Sequence, residues 1–125
     1  MISVKEALVI HELAIDKFGG SYGVRDMNLL ESAISRPYAT FDGQELYPNP
    51  VDKVAAIIES IIKNHPFSDG NKRTGYTLMR LVLLKSKWDI DATEEEKYDF
   101  VIKIAESKLT LDEIKSWIEN KSRKE

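Results

Sequence analysis

Apolar residues recur along most of this chain at the three- and four-residue spacing of an amphipathic helix. The first such segment opens with Ser3 and Glu6, which have the spacing of a capping box, and it extends to about Lys17. After a glycine-rich interruption, Asp26 is in position to cap a second, shorter helix. That helix is expected to end before Pro37–Pro50, a segment with no helical period, and irregular segments of that length are often functional.

Two segments in the middle of the chain are apolar around most of their circumference. The first begins at Asn49-Pro50, with proline at the first helical position, where its missing N–H costs nothing. The second begins near Gly70 and has an almost entirely apolar body over residues 78–84. Helices of this kind belong in the interior of a bundle, so these two are expected to pack at its centre.

Two further capping boxes predict two more helices, one starting at Thr93 and one at Thr110. Asp89–Asp91 is too short for a strand to be predicted, and the polar tail Lys121–Glu125 is expected to fray. The chain contains no repeat, low-complexity tract or linker. We therefore predict a single all-α domain over residues 1–125, a compact bundle of about six helices.

Composition is typical of a soluble globular domain, with 42% hydrophobic and 31% charged residues. The net charge of −3 argues against nonspecific nucleic-acid binding, so no direct nucleic-acid partner is expected. No membrane span or secretory signal is recognisable, and the absence of cysteine excludes disulfides and thiol catalysis. A cytoplasmic location is expected. The two histidines, His11 and His65, are too few for a multi-histidine metal site, and His11 is expected to be structural.

One stretch of thirteen residues, His65–Thr77, contains most of the groups that could do chemistry. It places an imidazole, a carboxylate, an amide and two cations within nine positions, where a loop meets a helix. The N-terminus of a helix has free N–H groups and a positive dipole end, so it binds anions readily. Lys72 and Arg73 oppose that dipole, and their placement costs stability unless an anion or acidic partner offsets it.

Each polar residue of this stretch has a functional and a structural interpretation. His65 can serve as a general base near neutral pH, or only as the cap of the preceding helix. Asp69 can hold a magnesium ion that bridges phosphates, or act as an N-cap. Gly70 lets the backbone approach a phosphate or permits a tight turn, and Asn71 contacts phosphate or holds the loop. Together these groups suit the transfer of a phosphate-containing group from a nucleotide to a hydroxyl.

The stretch resembles the signature loop of Fic-domain proteins, H-x-F-x-D/E-G-N-G-R-x-x-R, and more closely that of the Doc (death-on-curing) branch. In that branch a lysine replaces the second glycine, as Lys72 does here. Tyr76 stands where most Fic proteins have a second arginine, and Thr77 stands where Doc-type sequences often have asparagine. The resemblance extends to residues 18–33 and covers nearly the whole chain. The matching loop residues are His65, Phe67, Asp69, Gly70, Asn71 and Arg73.

The resemblance implies a Fic/Doc-like helical fold and an ATP- and Mg2+-dependent transferase that modifies a hydroxyl of a target protein. Most Fic proteins transfer AMP, whereas the Doc branch is associated with an inverted nucleotide that presents its γ-phosphate. Lys72 and the loss of the second arginine favour the Doc chemistry, a protein kinase. The implied roles are catalytic base for His65, metal ligand for Asp69, and phosphate or nucleotide binding for Gly70, Asn71, Lys72 and Arg73.

The resemblance also implies the biological setting, a toxin of a toxin–antitoxin pair that arrests translation by modifying elongation factor Tu. The self-inhibitory Fic pattern, Ser/Thr-x-x-x-Glu-Gly/Asn, is not found, so inhibition would come from a cognate antitoxin. Pro37–Pro50 occupies the position of the family's flap, which aligns the target's backbone. Two alternatives stay open: AMP transfer on the same fold, and a nucleotide- or protein-binding module without catalysis.

Overall fold

The computed structural model describes residues 2–125, which form six α-helices, one 3-10 turn and two small antiparallel strand pairs. This arrangement confirms the predicted all-α bundle. The helices are α1 (Val4–Phe18), α2 (Met27–Ser35), α3 (Pro50–Asn64), α4 (Asn71–Lys85), α5 (Glu94–Ala105) and α6 (Leu111–Lys121). The 3-10 turn spans Arg36–Tyr38, and the strands are β1 (Thr40–Phe41), β2 (Gln44–Glu45), β3 (Trp88–Ile90) and β4 (Ser122–Lys124).

The helix starts follow from local side-chain chemistry. The capping boxes at Ser3, Thr93 and Thr110 all form, each with reciprocal hydrogen bonds to the glutamate three residues later. Asp26 accepts a hydrogen bond from the Leu29 N–H and caps α2. These bonds satisfy N–H groups that the first turn of a helix leaves without partners. The capping residues therefore predict where these helices begin.

The core is built on α3, which packs against α2, α4, α5 and α6. Helices α3 and α4 pack closely at Gly75. A Cβ atom there would lie 3.1 Å from Ile62 and 3.3 Å from Ile61, so even alanine would require these side chains to shift by a few tenths of an ångström. The expected central pair of helices is therefore present. Their fully buried apolar side chains include Val54, Ile57, Ile58, Ile61, Ile62, Leu78 and Met79.

The prediction of a frayed tail is wrong. Strand β4 pairs with β3 in the register Trp88 with Lys124 and Ile90 with Ser122. Both strands are short, and their sequences lack the alternation of apolar and polar residues that predicts a strand. Backbone hydrogen bonds between distant segments hold the tail, and such pairing cannot be read from local periodicity.

The irregular segment before α3 contains a hairpin, in which Phe41 pairs with Gln44 across a two-residue turn. The turn residues Asp42 and Gly43 both have positive φ, as hairpin turns with the twist of the flanking strands require. Phe41 is 75% exposed, so the hairpin presents an apolar side chain to solvent. Among the helices of residues 2–125, none combines the length and hydrophobicity needed to cross a bilayer.

Candidate functional site

The loop between α3 and α4 begins at His65, which ends α3 in the left-handed conformation (φ 50°, ψ 59°). This conformation costs a non-glycine residue about 1–2 kcal/mol, so other contacts must hold it. Arg25 supplies them: its Nε donates to the His65 carbonyl and its Nη2 to the Asn64 carbonyl, each at 2.7 Å. The cation thereby caps the negative end of α3, and the His65 side chain is left exposed.

The middle of the loop is fixed by a buried ring and a buried amide. Phe67 is 1% exposed and stacks on the His11 ring, with the centroids 3.9 Å apart. The Asn71 amide accepts a hydrogen bond from the Phe67 N–H and donates one to the Phe67 carbonyl, both at 3.0 Å. His11 Nε2 lies 2.8 Å from the Asp69 carbonyl, to which it donates. His11 therefore has the structural role expected of it.

Asp69 does not cap α4, so that structural alternative is wrong. The N-cap is Gly70, in the left-handed region at φ 75°. The Asp69 carboxylate instead accepts hydrogen bonds from the Ser21 N–H at 3.1 Å and the Gly70 N–H at 2.8 Å. Asp69 therefore ties the loop to the glycine-rich segment that follows α1.

The Asp69 carboxylate can bind a magnesium ion only if waters and a bound phosphate supply the other ligands. Within residues 2–125, no group of three histidine, cysteine or acidic side chains could form a metal site by itself. Mg2+ is commonly held by one or two carboxylates, with waters and substrate phosphates completing the octahedron. Each Asp69 oxygen accepts one N–H and keeps a lone pair. A single carboxylate beside bound phosphates is thus a suitable donor set.

Five consecutive residues, Asp69 to Arg73, line a cleft of about 710 Å3, within the usual size range for small-molecule sites. The structure therefore brings together the predicted metal ligand and all four predicted phosphate-binding residues. His65 is not among the residues that line the cleft. The other walls are Lys17, Phe18 and Gly19 from the end of α1, Tyr76 and Arg80 from α4, and Glu94, Lys97, Tyr98 and Val101 from α5.

The two cations of the loop are exposed in the first turn of α4. Neither Lys72 nor Arg73 forms an ion pair with any of the acidic side chains described in residues 2–125. The Arg73 guanidinium lies 3.5 Å from the centre of the Phe18 ring, which holds it over the cleft. By contrast, Asn71 is only 8% exposed and both of its amide atoms are engaged with the loop, so its visible role is to hold the loop.

The cleft contains residues that sequence reasoning did not single out as functional. Arg80 forms a two-pronged ion pair with Asp89, at 2.9 and 2.8 Å, which lowers the pKa of Asp89. The sequence could have indicated Arg80 as a cleft residue, because it lies seven positions after Arg73 and residues seven apart share a helix face.

Tyr76 also lines the cleft. Burial raises the pKa of Tyr76 to about 12, and its hydroxyl has no partner in the described chain. The position of the second Fic arginine is therefore uncharged.

Comparison with known proteins agrees with this geometry. The model of the Fic/DOC family matches residues 1–83, which include the loop and most of α4. The chain is also 39% identical over 103 residues to "Toxin Doc" of Mycolicibacterium smegmatis (strain ATCC 700084 / mc(2)155), an alignment that covers 78% of this chain and 76% of the relative. With the signature loop set on a helix N-terminus in an all-α bundle, this protein belongs to the Fic/DOC family.

Proposed function

We propose that this protein is a Doc-like toxin that transfers the γ-phosphate of ATP to a serine or threonine hydroxyl of a target protein. The observation that carries the proposal is the pair Lys72 and Arg73, two exposed cations in the first turn of α4 beside the Asp69 carboxylate. The similarity to a protein named Toxin Doc supports the biological role.

The electrostatics of this turn favour a phosphate ligand. Cations at a helix N-terminus oppose the macrodipole, an arrangement that costs about 0.3–1 kcal/mol for each exposed charge. A nucleoside triphosphate would offset that cost, because the same cations and the free N–H groups of the first turn would all face its phosphate oxygens. The two cations in this turn therefore favour a site that binds an anion.

In the proposed reaction, His65 accepts the proton of the target hydroxyl while the hydroxyl oxygen attacks the γ-phosphorus. The bond from that phosphorus to the bridging oxygen breaks, and ADP leaves. Lys72, Arg73 and the backbone N–H groups of the loop stabilise the charge on the transferring group. A magnesium ion held by Asp69 would neutralise further phosphate charge when bound. His65 does not line the cleft proposed for the nucleotide, which suits a base that serves a hydroxyl arriving on another protein.

Two residues favour γ-phosphoryl over AMP transfer. Lys72 lines the cleft with a long, charged side chain where a glycine would leave open space. Tyr76 is neutral, with a pKa of about 12, and provides no cation for terminal phosphates farther along α4. Both features suit a nucleotide whose last phosphate, rather than its first, reaches the loop.

The hairpin of β1 and β2 is the proposed docking element for the target. Its short strands are exposed, so an extended peptide can pair with an open edge. We propose elongation factor Tu as the target, which would place the activity in the cytoplasm and arrest translation. Since the chain lacks the self-inhibitory Fic pattern, a cognate antitoxin is the proposed inhibitor.

Labelled ATP tests the proposal directly. The protein is incubated with Mg2+, purified elongation factor Tu and ATP carrying label at either the α- or the γ-phosphate, and the product's intact mass is measured. Label from the γ-position alone is expected, with a mass gain of one phosphate. Label from the α-position would establish AMP transfer instead. ATP binding with no label in the target, nor in any protein of a whole-cell extract, would identify a binding module.

A further inference from the structure

The direction of the His65 imidazole depends on the backbone of His65 itself. The side chain is exposed, and within residues 2–125 its ring nitrogens have no hydrogen-bond partner. Neither packing nor a bonded neighbour therefore orients the ring. The Cα–Cβ bond sets the starting direction of the side chain, and that direction follows from the left-handed φ of 50° and ψ of 59°. A contact that holds this backbone conformation also aims the proposed base.

The residues of the loop itself do not explain this conformation. Glycine ends helices in the left-handed region without strain, but the residue here is a histidine. The next residue is Pro66, and the residue before a proline is pushed toward extended backbone rather than toward the left-handed region. The conformation of His65 must therefore be stabilised by groups from elsewhere in the chain.

The Arg25 side chain binds the two carbonyls that flank His65. Its Nε donates to the His65 carbonyl and its Nη2 to the Asn64 carbonyl, each at 2.7 Å. These carbonyls belong to the two rigid peptide planes on either side of the His65 Cα, so their relative orientation is determined by the φ and ψ of His65. A guanidinium presents its donors in a fixed planar fork, which restrains both carbonyls at once.

Arg25 is itself held against the loop by its main chain. The N–H groups of Arg25 and Asp26 both donate to the Pro66 carbonyl, at 2.8 and 3.0 Å. The Ser68 N–H donates to the Gly23 carbonyl at 3.1 Å. In the part of the chain that the structure describes, no acidic side chain forms an ion pair with the guanidinium, so its charge is directed at the loop carbonyls. Main chain and side chain of Arg25 thus bind consecutive residues of the loop.

We infer that Arg25 is a positioning residue for phosphoryl transfer, which acts by fixing the backbone that aims the His65 imidazole at the target hydroxyl. This inference rests on the proposed function and adds to it a residue from outside the signature loop. Arg25 does not line the cleft, so its loss should leave nucleotide binding intact. A misplacement of about 1 Å can slow a reaction by about 100-fold, so turnover should fall.

The kinetic test compares Arg25→Ala and Arg25→Lys with the wild-type protein. Labelling of purified elongation factor Tu from γ-labelled ATP is measured at saturating ATP and Mg2+, and calorimetry measures ATP affinity. We expect Arg25→Ala to lower turnover by about 10- to 100-fold and to keep ATP affinity within about twofold. Lysine keeps the charge but not the planar fork, so Arg25→Lys is expected to lie between the other two proteins.

Lys115→Ala is the matched control for a general loss of stability. It removes the ion pair with Asp52 in the first turn of α3, at the end of that helix opposite to the loop. We expect it to lower Tm while turnover stays at the wild-type value. All rates are measured well below the lowest Tm, and circular dichroism establishes that each variant is folded.

NMR spectra of the histidine rings test the positioning without any activity measurement. The chain has two histidines, and the spectrum of His65→Ala shows which ring signals belong to His65. At constant pH, Arg25→Ala should shift or broaden these signals more than those of His11, which is buried and stacked on Phe67. Lys115→Ala should leave the His65 signals in place.

The outcomes separate this inference from the function on which it rests. Wild-type turnover in Arg25→Ala, or a loss of turnover matched by an equal loss of ATP affinity, would overturn the positioning role while the proposed kinase activity stands. If Arg25→Ala does not fold, wild-type turnover in Arg25→Lys would overturn it instead. If the wild-type protein labels no target, the proposed function is refuted, and unchanged His65 ring signals in the Arg25 variants would separately refute the inference.

Discussion

Replacing Asn71 with alanine tests whether this amide holds the loop between α3 and α4 or binds phosphate. In the structure its oxygen and nitrogen pair with the N–H and carbonyl of Phe67, both at 3.0 Å, in a buried position. The substitution leaves two buried backbone groups without partners, each at a cost of about 1–3 kcal/mol. Since the loop can relax or admit water, we expect a total destabilisation of about 2–4 kcal/mol.

Thermal unfolding followed by circular dichroism measures this loss. For a chain of 125 residues, 1 kcal/mol corresponds to about 4 °C, so Asn71→Ala should lower Tm by about 8–16 °C. The matched control is Lys72→Ala, one residue away and exposed. It removes a charge that opposes the helix dipole, so it should leave stability unchanged or raise it by up to about 1 kcal/mol while it weakens ATP binding. The two neighbouring variants are thus expected to give opposite signatures.

The reasoning is refuted if the two variants behave alike. An Asn71→Ala protein whose Tm stays within about 2 °C of wild type, but which loses ATP affinity as Lys72→Ala does, would make Asn71 a phosphate ligand. Loss of stability with ATP affinity retained at low temperature would establish the loop-holding role.

The remaining predictions concern the chemistry and the pH dependence of stability. His65→Ala should lower target labelling by about 100- to 10,000-fold with ATP affinity retained, as calorimetry can show; wild-type labelling would remove the base assignment. Asp69→Asn should raise the Mg2+ concentration needed for half-maximal labelling, and an unchanged titration would contradict a metal role. Lys72→Gly should lose γ-labelling; wild-type γ-labelling would show that the lysine does not set the chemistry. Burial of Asp52 opposes its ionisation, but the Lys115 ammonium and a backbone N–H outweigh burial and lower its pKa. This contribution to stability is therefore complete above the ordinary pKa of 3.8 and lost as pH falls through the lowered value. Acid titration of Tm should show a smaller loss in Asp52→Asn than in wild type.

The helices could be predicted because their signals lie within a few residues of one another. Each capping box joins groups three positions apart, as Thr93 and Glu96 do, and the apolar period of α3 repeats within a single turn. The positions of the predicted phosphate-binding residues at one helix N-terminus follow from the same local logic, since the loop runs directly into α4.

The features that sequence reasoning missed depend on partners far apart in the chain. Asp69 was a reasonable N-cap by position, but its carboxylate is bonded to Ser21, 48 residues earlier. The tail residue Lys124 lies opposite Trp88, although neither segment has a strand-like pattern. Only the packing of the whole bundle decides such pairings, and tertiary context then overrides local preference.

Gly20 lies so close to Asp69 that the conformation of the loop also depends on the glycine-rich segment after α1. Gly20 has a φ of +115°, and a Cβ atom there would lie 2.6 Å from the Asp69 carboxylate oxygen. Alanine at this position must therefore displace the carboxylate or open the segment that holds it. Under the proposed toxin function, a genetic selection for cells that survive expression of this protein should consequently recover substitutions at Gly20, in proteins whose His65, Asp69 and Lys72 are all unchanged.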